Sequence, residues 1–300
     1  MSAATDGFKG RDFLRVADWA AEGLIAVLDL ADRLKAAHGT GQEHRLLPGR
    51  TLGMIFQKPS TRTRVSFEAG IAQLGGVGLH LSASDLQLGR GETVRDTALV
   101  LSRYLDAIMI RTFAQSDVEE LAAHADIPVI NGLTDEHHPC QALADVMTIR
   151  ERLGRLEGVR LAYVGDGNNV CVSLAEAAGL LGMDFVAATP PGYEPPLPDA
   201  RLTNEPREAA RNADVLYTDV WTSMGREEER EARLRAFAGF QVNEELLREA
   251  SPGAIVLHCL PAHYGEEITE EVAYGPRSAL WDEAENRLHA QKALLALVVR

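Results

Sequence analysis

Five short stretches of this sequence carry residue types that could do chemistry. "KPSTRTR" puts Lys58, Arg62 and Arg64 among the hydroxyls of Ser60, Thr61 and Thr63, where an apolar run gives way to a helical pattern. A helix N-terminus offers unpaired N–H groups and a partial positive charge, which suits a phosphate. Guanidinium forks match phosphate oxygens. Capping alone needs one hydroxyl, and salt bridges alone do not need the hydroxyls, so "STRTR" exceeds both.

In "HHPCQ", His138 and Gln141 are three apart at the start of a predicted helix, with Pro139 in its first turn. That spacing puts both on one helix face, able to address one carbonyl or amide. Capping or core polar satisfaction is the plainer reading of such a pair. His137, His138 and Cys140 invite a zinc reading, but their spacing fits neither common structural pattern, and no metal is expected. "VGDGNNV" begins like a dinucleotide fingerprint with Gly165 and Gly167, yet Val170 stands at the third glycine position. The next strand lacks the acidic residue a ribose requires. A tight turn explains the glycines and leaves the amides Asn168 and Asn169 unexplained.

"TDVWTSMG" offers Asp219 for an ammonium group, with Ser223 and the backbone near Met224 for a carboxylate. Its plainer reading is a loop with a capping aspartate. "HCLPAH" ends an apolar run at Cys259 and Leu260. Free cysteine is usually a small buried hydrophobe. A cysteine–histidine hydrolase is disfavoured because no oxyanion motif accompanies Cys259.

These stretches need positioning elements, and the pattern supplies them. Leu24, Val27, Leu28, Ala31 and Leu34 recur at helical spacing between Asp18 and His38. Strands are predicted at "RTLGMIF", "VGLHLSA", "AIMIR" and "IPVING", alternating with helices at "TRVSFEAGIAQLGG", "VRDTALVLSRYL" and "SDVEELAAHA". The last of these opens with a capping box, Ser116 and Glu119. A long helix over "HPCQALADVMTIRERLG" leads to a second series: "VRLAYVG", "DFVAATP", "ADVLYTDV" and "GAIVLHCLP" as strands, "NNVCVSLAEAAGLLG" and "VNEELLREA" as helices. "PPGYEPPLPDARL" is the most loop-like stretch, and the chain closes on the helix "DEAENRLHAQKALLALVV". Such alternation predicts two doubly wound α/β domains with parallel sheets, joined near residues 140–155. Ligands of open α/β sheets bind at the carboxyl ends of strands, which is where the five stretches fall.

Composition bounds the rest. The chain has 300 residues, 46% hydrophobic and 25% charged, with formal net charge −14 and three cysteines. This fits about two globular domains and a reducing cytoplasm without a disulfide framework. No apolar run approaches the roughly 20 residues of a membrane span, and no signal peptide is evident. The acidic balance argues against nucleic acid or anionic membranes as partners. It leaves room for a local anion site, because charges more than about 8 Å apart are largely screened at physiological salt.

Taken together, and in this order, the five stretches resemble the aspartate/ornithine carbamoyltransferase family, on its ornithine branch. "STRTR", Gln87 in "LQLGRGETVRDT", Arg111 in "MIRTF" and "HPCQ" match the family's carbamoyl phosphate motifs, while "DVWTSMG" and "HCLP" match the ornithine branch. The resemblance runs from about residue 8 to the C-terminus. It implies transfer of a carbamoyl group from carbamoyl phosphate to the δ-amine of L-ornithine, giving citrulline and phosphate. Putrescine or an N-acylated ornithine is the alternative acceptor. An aspartate-specific member should lack "SMG" and "HCLP". The resemblance further implies a carbamoyl phosphate domain over 1–148, an ornithine domain over 149–282, and a C-terminal helix, about 283–300, packing back on the first domain. It assigns Ser60, Thr61, Arg62, Thr63, Gln87 and Arg111 to carbamoyl phosphate, with Arg111, His138, Gln141 and Thr63 at the carbamoyl end and Arg287 nearby. Asn169, Asp219, Ser223 and Met224 match ornithine-binding positions, and Cys259 and Leu260 lie near the reacting amine. Arg111, His138 and Cys259 are the expected catalytic residues. No cofactor is implied. A homotrimer is, with the loop around Leu86 and Gln87 a candidate for crossing between subunits, and closure of the two domains over both substrates.

Overall fold

The computed structural model describes residues 7–82, 86–87, 91–223 and 227–300. The chain forms two units, residues 1–144 with 286–300 and residues 145–285.

The first unit is built on a four-stranded parallel sheet in the order β2-β1-β3-β4. Its strands are β1 (Thr51–Phe56), β2 (Val77–Ser82), β3 (Ala107–Arg111) and β4 (Val129–Leu133). The helices are α1 (Ala21–Gly39), α2 (Thr61–Gln73), α3 (Val94–Leu101), α4 (Gln115–His124) and the first residues of α5 (Pro139–Leu153). Strands β1 and β3 are buried almost throughout, as continuous apolar runs in a doubly covered sheet should be. Ile55, Ile108, Ile110, Val118, Leu121 and Val129 form one apolar layer between the sheet and its helices. The C-terminal helix α11 (Leu280–Val298) contributes residues 286–298 to this unit. Lys9 Nζ donates to the carbonyls of Ala296 and Val299 near its end (3.0 and 2.6 Å), satisfying acceptors a helix C-terminus leaves open.

The second unit carries a five-stranded parallel sheet in the order β7-β6-β5-β8-β9. It comprises β5 (Arg160–Val164), β6 (Asp184–Ala188), β7 (Arg201–Thr203), β8 (Val215–Thr218) and β9 (Ile255–His258). Between them lie α6 (Asn169–Leu180), α7 (Pro206–Ala210), α8 (Arg230–Ala236), α9 (Glu244–Leu247) and α10 (Glu270–Ala273). Trp221, Phe237, Phe240, Val242 and Ile268 pack with the inward residues of these strands.

Each sheet has one place where the strand order reverses. In the first it lies between β1 and β3, in the second between β5 and β8. Neighbouring loops diverge there, leaving a crevice at the carboxyl ends.

Three local expectations are corrected. Helix α4 starts at Gln115 with Ala114 as N-cap and no side-chain cap, so Ser116 and Glu119 do not form a capping box. Glu119 pairs instead with Arg15 at 3.3 Å. At the end of the stretch read as loop, Arg201–Thr203 adds the edge strand β7, which takes in its last two residues and Thr203. Helix α8, which the reading omitted, is short and strongly charged, and its Arg233 is buried by an ion pair.

Candidate active site

In the first unit the residues gather at the carboxyl ends of β1 and β3. The chain leaves β1 at Phe56 and re-enters helix at Thr61. Ser60 is extended (φ −162°) and its Oγ accepts the Thr63 N–H at 3.2 Å, capping α2. Accepting that bond leaves the Ser60 O–H as a donor. Phe56 pairs with Arg111, the last residue of β3, and the Gln57 N–H donates to the Arg111 carbonyl (2.9 Å). The β3–β4 register shifts between Ile110 and Arg111, which sets Arg111 at an irregularity of the sheet.

The cations of "KPSTRTR" divide by partner. Lys58 pairs with Asp135 and stands 4.3 Å above the Phe113 ring. Arg64 pairs with Glu68 on the exposed side of α2 at 3.1 Å. Arg62 instead acts on His138. That imidazole is buried, and its pKa is driven well below the usual value, first by burial and then by the charges of Arg287, Arg111 and Arg62. His138 is therefore neutral at pH 7, a hydrogen-bonding group within the field of three guanidinium groups.

Helix α11 supplies the third of these. Arg287 Nη1 donates to Gln141 Oε1 (2.7 Å) and Nη2 to Thr63 Oγ1 (3.2 Å). The structure thus brings together Arg62, Thr63, Arg111, His138, Gln141 and Arg287, with Ser60 as the cap of the same helix. Thr61 is exposed at the first position of α2. Gln87 is exposed in the loop after β2, where its carbonyl accepts from the Glu92 N–H (3.2 Å), and no described contact joins it to the arginines. Cys140 is buried, donates to the Asn131 carbonyl (3.3 Å), and is pushed up to about 12 by burial, so it is an inert thiol.

The second unit assembles its residues at the carboxyl ends of β5, β8 and β9. Gly167 allows a close approach: a Cβ there would lie 2.2 Å from the Pro195 nitrogen. Its role is packing, which removes the resemblance to a dinucleotide loop. Asn168 caps α6, its Oδ1 accepting from the Val170 and Cys171 N–H groups (3.0 and 3.1 Å) and from the Tyr163 hydroxyl (3.2 Å). Its Nδ2 donates to Asp219 Oδ2 at 2.7 Å. Asp219 Oδ1 accepts from the Val220 N–H (2.8 Å) and from Cys259 Sγ (2.9 Å). Asp219 is thus fixed by three donors from three segments. Asn168 was missed as a site residue in the sequence; its signal was the doubled amide after a strand.

Cys259 follows β9. Its pKa is raised well above the usual value by burial first and then by Asp219, so it stays a thiol. The preceding His258 accepts the Leu260 N–H at Nδ1 (2.8 Å), which leaves Nε2 as the protonated nitrogen, and that atom faces Glu267 Oε1 at 3.0 Å. Both ring nitrogens are engaged. Leu260, with φ of 56°, holds a left-handed conformation uncommon for its type. Arg233 Nη1 binds Asp166 (2.9 Å) and the Trp221 carbonyl (2.8 Å), anchoring the segment that carries Asp219 and Ser223. Asn169, in the first turn of α6, and Ser223 are half-buried on the same side of the sheet ends. Met224 lies outside the described residues.

The first unit therefore presents three guanidinium groups around a neutral imidazole, and the second a fixed carboxylate beside a neutral thiol. Two family models match: the aspartate/ornithine carbamoyltransferase carbamoyl-P binding domain over residues 11–151, and the Asp/Orn binding domain of the same family over residues 157–298.

The chain belongs to the aspartate/ornithine carbamoyltransferase family.

Within that family it is 55% identical to an ornithine carbamoyltransferase of Pyrococcus horikoshii, across 97% of this chain and 96% of the relative. It is 56% identical to one of Anoxybacillus flavithermus, across 97% and 98%. Among solved structures, the ornithine carbamoyltransferase of Pyrococcus furiosus superimposes with a TM-score of 0.94 at 54% identity, covering 97% of this chain and 98% of that one. That of Thermus thermophilus gives 0.89 at 46% identity, covering 96% and 99%. The family's two-domain α/β architecture is the one described above.

Proposed function

We infer that this protein transfers the carbamoyl group of carbamoyl phosphate to the δ-amine of L-ornithine, releasing L-citrulline and phosphate. The observation that carries this is the convergence of Arg62, Arg111 and Arg287 on a neutral His138 at the strand-order reversal of the first sheet. Such a set suits a small dianion joined to a carbonyl. The N-terminus of α2 with Ser60, Thr61 and Arg62 takes the phosphate, together with Gln87 and Arg111. Thr63, Arg111, His138 and Gln141 face the carbamoyl oxygen and nitrogen, with Arg287 behind them.

Attack by an amine on the carbamoyl carbon builds negative charge on its oxygen. Preorganised donors stabilise that charge more than they stabilise the ground state. A neutral His138 suits the role, because it donates a hydrogen bond without giving up its proton. Phosphate then leaves with the bonding electrons, and no covalent enzyme intermediate is needed.

In the second unit Asp219 takes the ornithine α-ammonium, and Asn169, Ser223 and Met224 take the rest of the amino-acid end. Cys259 and Leu260 lie by the δ-nitrogen. A fixed ammonium partner at Asp219 favours ornithine over N-acylated ornithine, whose α-nitrogen carries no charge. The α-carboxylate contact at Ser223 and Met224 favours it over putrescine, which keeps an ammonium at that end but has no carboxylate. One relative, from Pyrococcus furiosus, is named an anabolic ornithine carbamoyltransferase. The citrulline-forming direction, serving arginine synthesis, is the corresponding role here.

The three cysteines are unpaired, and among the described residues no helix is long and apolar enough to cross a membrane, which fits a cytoplasmic enzyme. The edge strand β2 exposes Val77 (55%) and Leu79 (42%), and α2 exposes Val65 (55%). A bare apolar sheet edge invites a second copy, in keeping with a homotrimer; light scattering that finds an active monomer would refute it.

Calorimetry of carbamoyl phosphate binding tests the central assignment. Arg62→Ala should lower affinity at least tenfold, since a charged hydrogen bond contributes roughly 1.5–3 kcal/mol. Unchanged affinity in a folded variant would remove the assignment.

A further inference from the structure

Arg287 reaches the site through one atom pair that faces away from it. Its Nε donates to Gln291 Oε1 at 2.9 Å, one helical turn along α11. Gln291 Nε2 donates to Ser66 Oγ at 2.7 Å, and Ser66 Oγ donates to the Arg62 carbonyl at 2.7 Å. Every link runs in one direction. A guanidinium nitrogen can only donate, so Gln291 must present its oxygen to Arg287 and its amide nitrogen to Ser66. Ser66 accepts from Gln291 and donates its own O–H to the backbone of α2. Gln291 is fully buried, and bonds in series polarise one another at low dielectric.

A guanidinium is planar, so fixing Nε fixes the plane in which Nη1 and Nη2 lie. Those two nitrogens carry the bonds to Gln141 and Thr63. We propose that Gln291 and Ser66 are positioning residues of the carbamoyl phosphate site: a relay that sets the plane of Arg287 and ties it to the backbone of Arg62. The proposal rests on the carbamoyl transfer reading and deepens it. Neither residue touches substrate; both act through the two arginines. Ordinary helix packing between α11 and α2 would require apolar contact there and no directed chain.

The test compares Gln291→Met, which keeps volume and removes both bonds, with wild type, Arg287→Ala and the double variant. Carbamoyl phosphate Kd and the two substrate KM values are read beside the melting temperature. Loss of one bond to a charged group should raise Kd and KM for carbamoyl phosphate about tenfold, while KM for ornithine changes less than about twofold. In the Arg287→Ala background, Gln291→Met should have no further effect on carbamoyl phosphate, because coupled residues are not additive. Ser66→Ala, on the half-buried face of α2, gives the same direction should Gln291→Met fail to fold. Unchanged carbamoyl phosphate affinity, or an equal effect of Gln291→Met with and without Arg287, would overturn the relay. A wild-type protein that binds no carbamoyl phosphate would instead overturn the functional reading itself.

Discussion

Replacing Cys259 separates an orienting thiol from a nucleophile. The thiol donates to Asp219 Oδ1 at 2.9 Å, one of three described bonds that hold this carboxylate, the others coming from Val220 N–H and Asn168 Nδ2. Cys259→Ala removes a weak donor from a charged acceptor. A bond of that kind contributes about 1 kcal/mol, which is roughly fivefold in an equilibrium constant. Cys259→Ser keeps an O–H in place of the S–H. Steady-state citrulline formation should therefore show KM for ornithine about fivefold higher in the alanine variant and less disturbed in the serine variant, with turnover lowered but present in both.

The thiol's raised pKa, from burial and then Asp219, means little thiolate at pH 8 and slow alkylation by iodoacetamide. Ornithine's own amine should supply the pH dependence. An ammonium with pKa about 10.4 lies about 3.4 units above neutral pH, so its reactive form costs about 4.6 kcal/mol at 1.36 kcal/mol per unit. Activity at low ornithine should rise from pH 7 to about 8.5 as that fraction grows. A carbamoyl-cysteine adduct formed from carbamoyl phosphate alone and seen by mass spectrometry would refute this reasoning, as would a folded Cys259→Ser variant with no turnover.

Two further outcomes follow from buried geometry. Lys292 is fully buried, bonded to Gln73 Oε1 (2.8 Å) and facing His44 Nε2 (3.2 Å), and burial lowers its pKa from 10.5 to about 8. Below pH 8 folded and unfolded chains are both protonated and the cost of burial is constant; between about 8 and 10.5 the unfolded chain holds the extra proton, so stability rises with pH. Denaturant titrations should show that rise in wild type and its loss in Lys292→Met. Gly167→Ala places a Cβ 2.2 Å from the Pro195 nitrogen and 2.6 Å from the Glu194 carbonyl carbon. Overpacking against backbone should cost about 1–3 kcal/mol or more, and an unchanged midpoint would show that the 190–195 segment yields freely.

The sequence made the strands legible because β1, β3, β5, β8 and β9 are short apolar runs bounded by polar turns. It made "STRTR", "HPCQ", "DVW" and "HCLP" legible because each sits where such a run stops. Gln291 and Asn168 were hidden for different reasons. Gln291 lies in the middle of a helix, and its spacing of four from Arg287 is also the spacing of an ordinary surface pair. Asn168 stands in the sequence as one of two unexplained amides, and only the fold brings Asp219 to its Nδ2. The start of α4 was misread because Ser116 and Glu119 satisfy a capping pattern that the chain does not use, Glu119 having Arg15 as a partner. Strand β7 is three residues long and partly exposed, so neither alternation nor apolar content marks it. Arg64 and Lys58 look equivalent to Arg62 in sequence, and only their partners Glu68 and Asp135 distinguish them.

The most direct measurement is product formation by the purified protein from carbamoyl phosphate with L-ornithine, putrescine, L-aspartate and N-acetyl-L-ornithine in parallel. The account predicts that ornithine gives citrulline with kcat/KM at least about a hundredfold above each of the others: N-acetylornithine leaves the buried Asp219 carboxylate without its charged partner, at about 3 kcal/mol or more, putrescine forgoes the α-carboxylate contact, and aspartate has no δ-amine. Comparable turnover of N-acetylornithine would contradict the role of Asp219, comparable turnover of putrescine would contradict the α-carboxylate contact at Ser223 and Met224, and carbamoyl transfer to aspartate in place of ornithine would contradict the account as a whole.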